Sequence, residues 1–230
     1  MNYRAITLAI VISFSVLASG CAVNQVDTLA DFHQSRPKSI LIVPVVNKST
    51  DVMASTSVLS TLPRQLGEKG YYVFPVNTVK SLLEFEGLTD PQEVHNVPPT
   101  ELSALFHADS ILYVTIHSWT SVYVVLATNT IVDFEYRLVA ADGTVLWSDR
   151  ENLSYSPQSS SGGSLFGDLI VMALESAIER ASPNYLPLTR QANQNVFWNS
   201  RQPFPPGPYA LDYTTYYQAV AVDYPGSLEQ

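Results

Sequence analysis

The chain has 230 residues and a formal net charge of −9, and 14% of its residues are charged. An acidic chain without basic clusters argues against binding nucleic acid or an anionic lipid surface, and a single cysteine excludes a disulfide within the chain. Apolar residues make up 46% of it, and the length suits one domain of ordinary size plus an extension.

The N-terminus reads as an export signal. Arg4 supplies the positive charge, Ala5 to Val16 is an uncharged apolar run too short for a comfortable membrane span, and Ala18-Ser19-Gly20 offers small residues for cleavage. Cys21 follows at once. The arrangement resembles the bacterial lipobox, with Ala18 where that motif most often has leucine. The resemblance implies cleavage before Cys21, acylation of its thiol, and a mature chain with no free cysteine. Ala22 is not the aspartate of an inner-membrane retention signal. The expected location is therefore the outer membrane, lipid-anchored and facing the periplasm, with surface exposure left open.

Asn24 to Lys38 is polar and weakly patterned and reads as a tether. "SILIVPVVN" (Ser39 to Asn47) is a β-branched apolar run, expected of a strand buried on both faces. Val58, Leu62 and Leu66 recur at four-residue spacing and predict a helix that Pro63 should kink and Gly67 and Gly70 should close. "YYVFPV" (Tyr71 to Val76) is a second strand. Asn77 is placed to cap a helix through Val79, Leu82, Leu83 and Phe85. "TDPQEVHNVPP" reads as a loop, and Thr100 as the cap of a short helix over Glu101 to His107.

From Asp109 to Ser156, strands follow one another with no helix between, four by count. In Ile131 to Ala140, Val132, Phe134, Tyr136 and Leu138 alternate with Asp133, Glu135 and Arg137. Asp142-Gly143 is the hairpin signal, and it sets Leu138 opposite Trp147 on the buried face and Glu135 opposite Arg150 on the wet face. "SPQSSSGGS" reads as a loop, and Leu165 to Ala181 as an apolar helix ended by Pro183.

The order β-α-β-α-α-β-β-β-β-α predicts an α/β domain: a mixed sheet with helices packed on it, early β-α-β units, then an antiparallel meander and a final helix. The chain divides into a lipoprotein signal peptide (1–20), a tether (21–38), the α/β domain (39–182) and a Pro/Tyr-rich C-terminal extension (183–230). Pro203 to Tyr209 is expected to pack on the domain, and Ala210 to Gln230 to stay mobile until a partner binds.

No catalytic, cofactor-binding or metal site is expected. His33, His95, His107 and His117 lack partners at metal-ligand spacing, and His117, inside an apolar strand, reads as a satisfied core or edge histidine. "SSSGGSLFGD" lacks the lysine of a phosphate-binding loop, and there is no Gly-x-Ser-x-Gly elbow. Asp149 and Glu151 share a strand face and read as hairpin surface rather than a tuned acid pair. Trp119 and Trp198 are better placed as core packing than as a ligand platform.

Five stretches, "SILIVPVVNKSTDV", "EKGYYVFPV", "HADSILYVTIHSW", "DGTVLWSDRENLSYS" and "PPGPY", resemble a family of bacterial lipoproteins of unassigned function, first noticed as a surface-antigen candidate in Neisseria. The resemblance runs from Ser39 to Tyr209. The family is in turn similar to the amino-terminal domain of the Tol-system periplasmic propeller protein and to the periplasmic part of the curli secretion-channel lipoprotein. This implies a non-catalytic accessory of a curli-channel-like export or envelope-assembly complex. Its partners would be membrane lipid through acylated Cys21 and envelope proteins such as a curli-channel-like lipoprotein; a homo-oligomer stays open, and no cofactor or nucleic acid is implied. An envelope enzyme or a small-ligand-binding lipoprotein with an unrecognised site is the alternative.

Overall fold

The computed structural model describes residues 27–124, 127–155 and 186–224. The leader with Cys21, the loop from Ser156 and the helix expected over Leu165 to Ala181 lie outside the described residues.

The first apolar run makes two strands rather than one. β1 (Ser39–Ile42) ends shortly before Pro44, and β2 (Val46–Asn47) resumes after it. Proline has no N–H to give to a ladder, so the run breaks there. β1 is buried on both faces, as expected, and sends Ile40 and Ile42 into one core and Leu41 into another. Helix α1 (Ala30–Ser35) precedes it, and helix α2 (Ala54–Glu68) follows. Val58, Leu62 and Leu66 of α2 are fully buried, and the helix runs on through Pro63. It closes on Gly70 at φ +84°, with Gly70 N–H donating to Gly67 O at 3.0 Å and Tyr71 N–H to Leu66 O at 3.1 Å. This double bond satisfies the last carbonyls and needs the left-handed residue that glycine supplies.

β3 is two residues long (Tyr72–Val73). Helices α3 (Val76–Phe85), α4 (Pro91–Asn96) and α5 (Pro99–Phe106) follow. The expected caps Asn77 and Thr100 are not used; the cap positions are Pro75 and Pro98. The stretch read as a loop holds α4, whose start is fixed by Asp90 accepting from Gln92 N–H at 2.7 Å with Pro91 in the first turn.

Three long strands make the meander: β4 (Ser110–Val124), β5 (Ala127–Ala140) and β6 (Val145–Tyr155). The sequence count of four is corrected to three because β4 passes through a bulge between Ile116 and Ser118 without breaking. The whole is a six-stranded mixed sheet in the order β3-β1-β4-β5-β6, with β2 also beside β4. β1 pairs in parallel with β3 and β4, and β4 to β6 are antiparallel. The expected fold class is thus observed.

The hairpin pairs Leu138 with Trp147 and Glu135 with Arg150, as the alternation predicts. The turn holds a correction of detail. Ala140 N–H donates to Thr144 O at 2.8 Å and Gly143 N–H to Ala140 O at 3.0 Å, so the loop has three residues, Ala141 to Gly143. A three-residue loop alone would shift the register by one. The register shift beyond Leu138, where Val139 pairs with Val145, leaves Leu146 as the extra residue and restores the expected pairing. The bulge explains why neighbours Leu146 and Trp147 are both buried.

One face of the sheet is covered by α2 and by helix α6 (Leu186–Gln194), which runs into a π-helical turn (Asn195–Asn199); the other face is covered by α3, α4 and α5. A buried polar chain stitches the first layer. Tyr136 Oη donates to Asn193 Oδ1 at 2.6 Å, Asn193 Nδ2 to Thr61 Oγ1 at 2.8 Å, and Thr61 Oγ1 to Val58 O at 2.7 Å. Tyr136, Asn193 and Thr61 thus satisfy one another and the backbone, which is what burial of polar side chains requires.

The expected domain limits of 39 and 182 do not enclose this core. Leu29 and Phe32 from the supposed tether, and Leu188, Ala192, Val196, Phe197 and Phe204 from the supposed extension, belong to it. Polar spacing hid α1, whose buried face is little more than Phe32 and His33.

Gly143 sits at φ +95° with open space where a Cβ would project. Gly143→Val should therefore cost backbone strain alone, about 1–2 kcal/mol, with no steric clash. A thermal melt reads this; an unchanged melting temperature would contradict the turn geometry.

Candidate functional site: the base of the sheet

β1, β3 and β4 all start at one end of the sheet, where Ser39 is paired to Tyr72 and Ile40 to Ser110. Both ends of the described chain meet there. Asp27 Oδ1 accepts from Leu29 N–H at 2.9 Å, and Asp27 Oδ2 lies 2.7 Å from His33 Nδ1. His33 Nε2 is 2.9 Å from Tyr216 Oη, on helix α7 (Tyr213–Asp223). Arg36 lies over the ring of Tyr217 at 4.7 Å from its centroid. Tyr217 and Val220 are buried. The helix therefore rests on α1, and the expectation of a mobile 210–230 is corrected for the described part of that segment.

Pro203 to Tyr209 does pack on the domain, as expected. Lys69 Nζ donates to Phe204 O at 2.9 Å, Tyr71 Oη to Pro205 O at 2.9 Å, Gly207 N–H to Lys69 O at 2.7 Å and Tyr209 N–H to Gly70 O at 3.0 Å. Gly207 has no room for a side chain, because a Cβ there would strike Gly70 O. Lys69 also sits 4.1 Å above the Trp198 ring, and burial lowers its pKa. The strap thus runs over the αL turn that closes α2 and delivers α7 to α1.

Asp27, His33 and Tyr216 have the acid–imidazole–hydroxyl order of a nucleophile triad. Their environment points the other way. His33 is buried, and the Tyr216 phenol is pushed up to about 12, chiefly by burial and then by the negative charge of Asp27. An activated hydroxyl needs the opposite shift. The cluster is a clasp that holds the two chain ends together.

The other sequence candidates are structural. His117, at the β4 bulge, bonds Glu135 Oε2 at 2.6 Å, as expected of a satisfied edge histidine. His95 Nε2 lies 2.9 Å from Pro44 O, and burial lowers its pKa. His107 ends α5 and is exposed. Among the described residues, no three His, Cys, Asp or Glu side chains converge as a metal group, and no helix is long and apolar enough to cross a membrane. Trp119 is core, whereas Trp198 is 36% exposed and held by Lys69 and by Gln65 Oε1 at 3.0 Å. Asp133, read as a wet-face residue, is shielded by a two-pronged bond from Arg150, with Nε at 2.8 Å and Nη2 at 2.7 Å, which also lowers its pKa. Glu151 accepts from Asn195 Nδ2 at 2.7 Å, so it ties β6 to the π-helical turn.

The base itself is open. Ser35, Arg36, Lys38, His107 and Asp142 rim a shallow depression of about 580 Å³. Tyr209 is 74% exposed and Leu211 is wholly exposed beside it. Sequence reasoning missed this site, since its parts are local nowhere: His33 and Tyr216 are 183 residues apart.

Two outcomes test the clasp. Ending the chain at Tyr209 should uncover the surface under Tyr217 and Val220 and cost about 3 kcal/mol, a fall of roughly 6–12 °C in melting temperature. An unchanged melt would return α7 to the status of a loose end. Second, a free tyrosine ionises near 10, and docked Tyr216 near 12. A raised folded pKa gives stability that is whole below pH 10 and is lost as pH climbs through 12. Tyrosinate absorbance and helical circular dichroism should change together in that window, and Tyr216→Phe should reduce the coupling; loss of α7 signal starting below pH 9 would contradict it.

The family described as "Putative lipoprotein GNA1162-like" matches residues 27–208, from the clasp aspartate through Pro208 of the strap, and leaves Tyr209 and α7 outside. A Neisseria meningitidis serogroup B protein, "Putative lipoprotein NMB1124/NMB1162", is 36% identical over 160 residues, 68% of this chain and 74% of that protein. The crystal structure of lipoprotein GNA1162 from N. meningitidis superposes with a TM-score of 0.53 at 32% identity, covering 63% of this chain and 99% of the other. A PelC dodecamer from Paraburkholderia phytofirmans gives a TM-score of 0.38 at 17% identity, over 55% of this chain and 77% of that one.

Proposed function

This chain belongs to the GNA1162-like lipoprotein family, and from that premise we propose that it is a non-catalytic interaction protein of the cell envelope, held at the outer membrane by acylated Cys21 and serving a curli-channel-like export or envelope-assembly complex. The observation that carries the reading is the position of Asp27. Six residues after the lipobox cysteine, the chain is already locked into the domain through His33 and Leu29. A domain that starts so close to its anchor is built to work at the membrane surface.

The side chains that would suit catalysis support the same reading. His33, His95 and His117 are each spent on a structural bond, and Tyr216 is shifted away from reactivity. Two acyl chains or more on Cys21 give a stable anchor, since each buried methylene contributes about 0.8 kcal/mol.

Cys21→Ser should abolish incorporation of a palmitate analogue and leave an unprocessed or soluble protein. Equal label on both forms would end the lipoprotein reading. A pull-down of the acylated protein from detergent-solubilised membranes should recover a curli-channel-like lipoprotein. Recovery of the protein alone, after cross-linking in intact cells, would contradict the accessory role.

A further inference from the structure

We infer that the base of the sheet is the surface that seats on the bilayer, with Tyr209 and Leu211 at the lipid interface and the opposite end, led by the β4–β5 arm, directed away from it. The inference rests on acylation of Cys21 and adds the orientation of the domain to it.

Reach is the first argument. From Cys21 to Asp27 the chain can span at most about 21 Å, six residues at roughly 3.5 Å each. Asp27 is fixed at the base by His33, so the base cannot leave the bilayer by more than that distance. β4 leaves the base at Ser110 and runs to Val124, about 48 Å at roughly 3.4 Å per residue. β4 and β5 stay paired as far as Val124 and Ala127, and this outer stretch of the pair is the arm. A seat on the base leaves the end of that arm standing well clear of the lipid.

The chemistry of the base is the second argument. Leu211 and Tyr209 are exposed on the segment that hydrogen-bonds Gly70, and Val222 is 79% exposed on α7. Tyrosine is favoured at the headgroup boundary, and leucine buries there on the apolar face of interfacial segments. Arg36 and Lys38 rim the depression at the base together with Asp142. Cations beside a carboxylate match the phosphate and ammonium of a zwitterionic headgroup. An overall charge of −9 disfavours an anionic surface and leaves a zwitterionic one as the fitting partner.

The far end supplies the control position. Met53 precedes α2, is 61% exposed, and is separated from the Gly70 turn by the length of that helix, about 22 Å at 1.5 Å per residue.

The test uses the full acylated chain. Cys21 is the one native cysteine and is blocked by lipid, so a thiol introduced by Leu211→Cys, Val222→Cys or Met53→Cys takes a fluorescent label uniquely. Each labelled protein is reconstituted in phosphatidylethanolamine–phosphatidylcholine vesicles carrying headgroup nitroxides. The account expects quenching at 211 and 222 to exceed that at 53 by threefold or more. Equal quenching, or stronger quenching at 53, overturns the orientation even when the protein floats with the vesicles. A protein that neither floats nor carries acyl mass overturns the lipoprotein reading, and the orientation with it.

Discussion

Phe204 is the side chain on which the rest of the fold depends. It is 1% exposed, and four aromatic rings meet it nearly edge-on: Phe32 at 5.4 Å, Tyr71 at 5.5 Å, Trp147 at 4.8 Å and Phe197 at 5.3 Å. Those four rings come from α1, the start of β3, the β5–β6 hairpin and the π-helical turn. Edge-to-face pairs add roughly 0.5–1.5 kcal/mol each beyond area burial. A residue near the end of the chain thus joins its beginning, its edge strand and its meander. The strap that carries Phe204 is held by backbone bonds to Lys69 and Gly70, so the ring is positioned by main chain rather than by chance collapse.

From that joint the two ends of the sheet acquire different characters. The base gathers both ends of the described chain and the exposed Tyr209 and Leu211. The other end carries the β4–β5 arm and the start of α2. Between them the β5–β6 hairpin turns Glu135, Arg137 and Arg150 to solvent, with Asp133 shielded beneath the Arg150 guanidinium. With the proposed acylation of Cys21, one end would face the membrane and the other would be free for partners.

Legibility in the sequence followed the range of each interaction. The buried run of β1, the four-residue spacing of α2 and the hairpin register were readable, because period and turn chemistry are local. Small departures had local causes that pattern alone does not weigh: Pro44 splitting a strand, Pro91 and Asp90 starting a helix within a presumed loop, Leu146 bulging out to correct a three-residue turn. The base was not readable. Its proline and tyrosine content resembles that of an extended tail, and nothing near Phe204 or Tyr216 announces that the partners are Phe32 and His33. Composition describes what a segment could do alone, while burial here is decided by contacts across most of the chain. The clasp's Asp27, and the strap up to Pro208, coincide with the limits of the family match, whereas α7 lies beyond it.

The central claim is that the strap is core structure rather than an appendage. Native-state hydrogen exchange tests it most directly, on the amides of Gly207 and Tyr209, which donate to Lys69 and Gly70. The account predicts protection comparable to that of the β1 and β4 amides, because opening the strap exposes Phe204 and with it the aromatic joint. Exchange of these two amides at the rate of an unprotected chain, while the sheet stays protected, would contradict it.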